Sequence, residues 1–273
     1  MRRVSWSGLG VIVLLTGATT ALQPAPRETS RQAVAELVTQ IQRADYEGNR
    51  ATLLLLYAKL EPFVSNPKLA SRVRYWRGFA VWRRAINGFN ESADPKDLQH
   101  DLQEAVLEFK ESAAKDPDSV EAKIGAISCF SNLTHLARGD LARMQELIAQ
   151  SSSLVREVRA SDPENPRFRW VMGPILWNIP VERGGGQDKA IENYQKGLEI
   201  ARKAKAASGE TLEPRWGEPE LLMSLAWSNL NRTTPDLKAA EESARAALAL
   251  VPYWHYVRDI LLPQIRGAQA AAT

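Results

Sequence analysis

One short pattern recurs along the chain and limits what it can fold into. Ala105, Phe109, Ser112 and Pro117 stand in the order small, large, small, proline, and Ala240, Ala244, Ala247 and Pro252 repeat the spacing position for position. Ala190, Tyr194 and Gly197 give its first three places, while Ser151, Val155, Val158 and Pro163 keep the spacing with looser residue types. Small side chains on one helical face let a second helix lie close, and the larger one fills the space between neighbouring units. Proline ends the helix because it lacks an N–H and crowds the preceding turn. The pattern predicts stacked helical units.

The rest of the chain agrees. Beyond about Glu28, apolar residues recur at i, i+3, i+4 and i+7, and no stretch alternates as a half-buried strand would. Breaks fall at 45–49, 65–68, 87–95, 116–119, Gly139, 162–166, 180–187, 208–219, 233–235 and 251–252. They divide the chain into about five helix pairs and a last helix, in which Trp254, Val257, Leu261 and Ile265 form a stripe that caps the stack. Composition narrows the chemistry. One cysteine, Cys129, excludes an internal disulfide, and His100, His135 and His255 are too scattered for the usual local zinc spacings. With 35 basic against 32 acidic residues, the chain is not a dedicated nucleic-acid binder.

These residues resemble the tetratricopeptide repeat, a helix-turn-helix unit of about 34 residues. Trp76, Phe79 and Ala80 and the pair Met172-Gly173 look like the aromatic and large-small positions of its first helix. Two segments depart from the period: 117–163 is long, and 87–101 is expected to lengthen the turn inside one pair. Residues 164–198, ENPRFRWVMGPILWNIPVERGGGQDKAIENYQKGL, look like a segment of secreted bacterial tetratricopeptide proteins. The resemblance implies an all-α tetratricopeptide-like α-solenoid over residues 30–267 that binds peptides or proteins on its concave face.

The N-terminus carries an address. Arg2 and Arg3 precede an apolar run from Leu9 to Leu15, and Thr19-x-Ala21 offers the small residues that signal peptidase reads. The run is shorter than the roughly 20 residues of a membrane span. Residues 1–21 therefore read as a signal peptide, 22–29 as a linker and 268–273 as a disordered tail, giving a periplasmic or secreted protein without an integral membrane segment after cleavage. Cleavage removes two arginines and no acid, so 35 basic residues become 33 against 32 acids.

No motif points to catalysis, a metal or a cofactor. The run Gly184-Gly185-Gly186 lacks the spacing and the following Ser or Thr of a phosphate loop, and reads as a turn, with Asp188 favourable to the next helix start. Glu121, Glu182, Glu192 and Glu220 show no pairing that selects an acid and a base. Cys129 and His135 are six positions apart and fall on different faces of one helix. The candidate contacts are therefore those of a binding surface. Aligning Met172-Gly173 with Leu225-Ala226 places Trp170, Trp177, Asn178, Trp227 and Asn231 toward the concave side, with Arg74, Arg77 and Arg84 lining it in an earlier pair. Trp and Arg are enriched at binding hot spots. The function expected is an exported non-catalytic scaffold for a protein or peptide partner. The alternative is an accessory component of a solute-uptake system of the TRAP type.

Overall fold

The structure, a computed structural model, describes residues 26–204 and 212–272. The expected signal peptide, 1–21, lies outside them. Among the described residues there are eleven α-helices and no strand. They run α1 Pro26–Tyr46, α2 Arg50–Lys59, α3 Ala70–Asn90, α4 Pro95–Lys115, α5 Glu121–Leu136, α6 Leu141–Ser161, α7 Pro166–Asn178, α8 Gln187–Lys203, α9 Glu218–Asn231, α10 Leu237–Leu250 and α11 Leu262–Ala271. Consecutive helices pack as five pairs, α1–α2 through α9–α10, and α11 closes the last. The fold is a tetratricopeptide-like α-solenoid.

The recurring pattern works as its spacing suggests. Ala105, Phe109 and Ser112 of α4 are buried, as are Ala190 and Tyr194 of α8 and the three alanines of α10. Phe109 lies between two helices that offer glycine. A β-carbon at Gly78 of α3 would come within 2.9 Å of its ring, and one at Gly125 of α5 within 2.4 Å. Tyr194 uses Gly173 of α7 in the same way, at 2.0 Å. One aromatic ring thus locks α4 to α3 and to the following α5.

Several boundaries differ from the sequence expectation. The segment 87–101 is mostly helical: α3 runs to Asn90, and Asp94 opens α4 by accepting from Lys96 N at 2.8 Å with Pro95 at the first helical position. α1 starts at Pro26, inside the expected linker. α11 continues to Ala271, where a disordered tail is expected after Gly267, because the Gln269 amide donates to Glu241 at 2.9 Å. The capping stripe Trp254, Val257, Leu261 and Ile265 is buried. Its first part, Tyr256–Leu261, is a π-helix that precedes Pro263. The glycine run is a turn: Gly184 and Gly186 have φ of 82° and 100°, and Gly186 N donates to Leu176 O at 2.9 Å. Asp188 stands in the first turn of α8, where its charge suits the helix start, and pairs with Arg232 at 2.7 Å.

The inward side of the stack is filled. Leu212–Gly217, just before α9, lies against α3 and α7. The Trp76 indole donates to Leu212 O at 2.7 Å, and the Trp216 indole donates to the Tyr75 hydroxyl at 2.9 Å. Trp216 also packs 5.7 Å from Trp82 and 5.4 Å from Trp170, centroid to centroid. Beside this aromatic core, Arg83 of α3 donates to Asp45 of α1 at 2.8 Å, both fully buried.

Candidate functional site

The eight residues expected to line a groove divide into three groups. Arg74, Arg77 and Arg84 each engage an acid of this chain. They bind carboxylates of neighbouring elements: Arg77 meets Glu108 at 2.7 Å and Glu61 at 2.7 Å, Arg74 meets Glu108 at 2.9 Å, and Arg84 pairs with Asp101. Arg77 also lies over the Tyr57 ring at 3.9 Å. These guanidinium groups join α3 to α2 and α4.

Trp170 packs into the aromatic core. It is buried, its indole donates to Ser224 Oγ at 2.9 Å, and Trp216 and Trp82 pack against it. Nevertheless one edge of it joins Trp177, Asn178 and Trp227 around a pocket of about 250 Å³ between α7 and α9, with Tyr194, Met223 and Ser224 completing the wall. Trp177 and Trp227 meet edge to face at 5.2 Å, and Trp227 remains 38% exposed. Asn178 and Asn231 donate back to the carbonyls of Pro174 and Trp227, at 2.7 and 2.8 Å. Four expected residues thus converge, with Asn231 bonded to the edge of the group.

A larger opening lies one junction earlier, and of the residues lining it only Asn178 belongs to the sequence expectation. α2 packs on α3, α4 on α5 and α8 on α9, whereas α6 stands away from α7. The cause is visible in the recurring pattern. Where α4 has Phe109 and α8 has Tyr194, α6 has the half-buried Val155. A valine is too short to bridge to the next first helix. Of the 21 residues of α6 only Leu147 and Val158 are buried, and Ile148 is 49% exposed.

The cleft so formed holds about 850 Å³, within the range of small-molecule sites. Met144, Ile148, Ser151, Val155 and Arg159 present one face of α6 to it, at spacings of three or four residues. The opposite wall is Met172, Pro174, Ile175 and Ile179 of α7 and its C-terminal end, and Phe89 of α3 and the end of α5 close one side. A second hollow of about 770 Å³ toward α8 shares Arg159 and Met172 with it. Pro174 and Asn178 separate the cleft from the tryptophan pocket.

The electrostatics of the cleft are one-sided. Arg138, Arg156 and Arg159 line it, and no aspartate or glutamate does. Among the described residues none of the three is paired with a carboxylate; Arg138 contacts only the His135 ring. Partial burial and the Arg138 guanidinium hold His135 below its ordinary value. Cys129 is fully buried in α5, with its thiol pushed up by burial, and does not reach the cleft. Among the described residues no cluster of His, Cys, Asp and Glu gathers that would hold a metal. None of the helices there is long and apolar enough to cross a membrane.

No family model matches the sequence, and no curated protein does. Solved structures do. The chain is similar to the HusA haemophore from Porphyromonas gingivalis, with a TM-score of 0.56 and 18% identity over 79% of this chain and 99% of that one. It is also similar to a thermophilic tetratricopeptide-repeat protein from Thermus thermophilus, with a TM-score of 0.53 and 17% identity over 89% of this chain and all of that one. At such identities the likeness establishes the fold.

Proposed function

We propose that this chain is an exported, non-catalytic binding module that takes its ligand into the open junction between the third and fourth helix pairs. The observation that carries the reading is α6, whose apolar face is left uncovered where every other second helix before it or after it is packed on its successor. Export rests on the Arg2-Arg3 start, the short apolar run and the small residues before Leu22. The non-catalytic reading rests on the chemistry of the cleft, which offers arginines, an imidazole and hydroxyls but no nucleophile held by a base. One similar fold is that of a haemophore, so a stack of this kind is compatible with carrying a small molecule.

Isolation of the mature protein from its own envelope tests the site. Material that co-purifies with the wild type and is lost from Val155→Phe, in which a ring juts into the junction, supports it. Equal recovery with both chains sinks it.

A second reading, a peptide or protein partner, is favoured by the pair of half-buried Trp177 and exposed Trp227 and its 250 Å³ pocket, which would seat one apolar side chain. The inward side, where an extended peptide would lie, is filled by Leu212–Gly217. An accessory of solute uptake would use the same junction for a polar solute, and finding such a solute on the isolated protein would favour that role.

A further inference from the structure

We infer that the ligand of the junction cleft is a long-chain amphiphile bearing an acid group, its chain laid along α6 and its acid held by Arg156 and Arg159. This rests on the cleft being the binding site. The shape supports a chain: the lining face of α6 extends from Met144 to Arg159, about 22 Å at the rise of a helix. Along it, Met144, Ile148 and Val155 face Ile175 and Ile179, and Phe89 closes one side.

The charge selects the head. Arg72, Arg74, Arg77, Arg83, Arg84 and Arg167 all bind carboxylates of this chain. Arg156 and Arg159, by contrast, share the last turns of α6 with no acid lining the cleft beside them. An anionic head gains two cationic partners there, and a cationic one meets only repulsion. A buried peptide is disfavoured for a different reason. The cleft walls are helices whose backbone groups are bonded internally, and Asn132, the amide on the α5 side, already donates to Ser128 O at 2.8 Å. A peptide placed there would find side-chain hydroxyls and arginines but no open backbone edge to pair with, whereas a hydrocarbon chain asks for no partner.

The test uses the mature chain and the fluorescent fatty acid cis-parinaric acid. The wild type is expected to bind it, palmitate to displace it, and hexadecyltrimethylammonium not to. Arg156→Gln with Arg159→Gln is expected to weaken binding about tenfold or more. Val155→Phe is expected to abolish it, and Ile148→Trp, altered where the side chain is already half exposed, provides a second block if Val155→Phe melts early. Unchanged affinity in the double arginine variant overturns the acid-head assignment. Displacement by haemin but not by palmitate overturns the long chain. Parinarate that ignores both blocking variants, while envelope material still leaves with them, overturns the amphiphile and spares the junction; if neither responds, both fall.

Discussion

The Tyr46 hydroxyl, at the end of α1, donates to Glu220 in the first turn of α9 at 2.7 Å, across 174 residues of chain. Glu220 also accepts from Gly217 N at 2.8 Å, and both side chains are buried. The first and fifth helix pairs therefore meet through a carboxylic acid. Burial pushes its pKa up, against the opposing pull of Arg83 and the Tyr46 hydrogen bond. A raised folded-state pKa means that the folded chain holds this proton more tightly than the unfolded one. Its contribution is thus complete below the ordinary value of 4.5 and is lost as pH climbs through the folded value. Melting curves from pH 4 to 8 should show wild type losing more stability with rising pH than Glu220→Gln. Parallel curves would contradict the assignment.

Arg77 is enclosed by Glu108, Glu61 and the Tyr57 ring. Replacing Arg77 with Ala takes one of its two arginine partners from Glu108, itself 4% exposed, and leaves it Arg74 at 2.9 Å. Urea unfolding should report a loss of about 1.5–3 kcal/mol, the usual range for a hydrogen bond to a charged group. A loss below about 1 kcal/mol would mean that the pair is screened by water.

The two kinds of tryptophan should separate. Trp170→Ala removes a core ring with a satisfied N–H and should cost about 3–5 kcal/mol. Trp227→Ala, at a ring 38% exposed, should cost far less while weakening any partner that uses the α7–α9 pocket. Comparable thermal shifts for the two would place Trp227 in the core.

Gly173→Ala places a methyl 2.0 Å from the Tyr194 ring, and the ring is hemmed in by the core. Overpacking of this kind costs about 1–3 kcal/mol. Most of that loss should return when Tyr194→Leu is added, which a double-mutant cycle reads directly.

Edman sequencing of the chain isolated from its native cells should begin at Leu22, as the proposed export requires. An intact Met1 on a membrane-bound product would show that the first segment serves as an anchor.

The five pairs and the final helix are legible in the sequence because helical periodicity is local. The ion-paired face of α3 is legible too, although its arginines look like groove residues until their partners are matched to them. Arg77 and Arg84 are seven residues apart, and so are Asp101 and Glu108, in the reverse order demanded by an antiparallel neighbour. The open junction has its own signal in Val155, which stands where α4 carries Phe109 and α8 carries Tyr194. What lies beyond reach is the contact of Leu212 and Trp216 with α3. It joins residues 136 and 141 positions apart through a segment with no periodicity, and nothing local announces it.

That contact also fixes the length of the stack. A solenoid whose units touch only their neighbours can gain or lose a repeat by duplication or deletion, because every internal interface is equivalent to the next. Here the Leu212–Gly217 strap must reach back over a set number of helices to find Tyr75 and Trp76. Inserting or removing one pair would strand Trp216 in solvent and open the aromatic core at once. The chain has kept the form of a repeat protein while giving up its freedom to change repeat number.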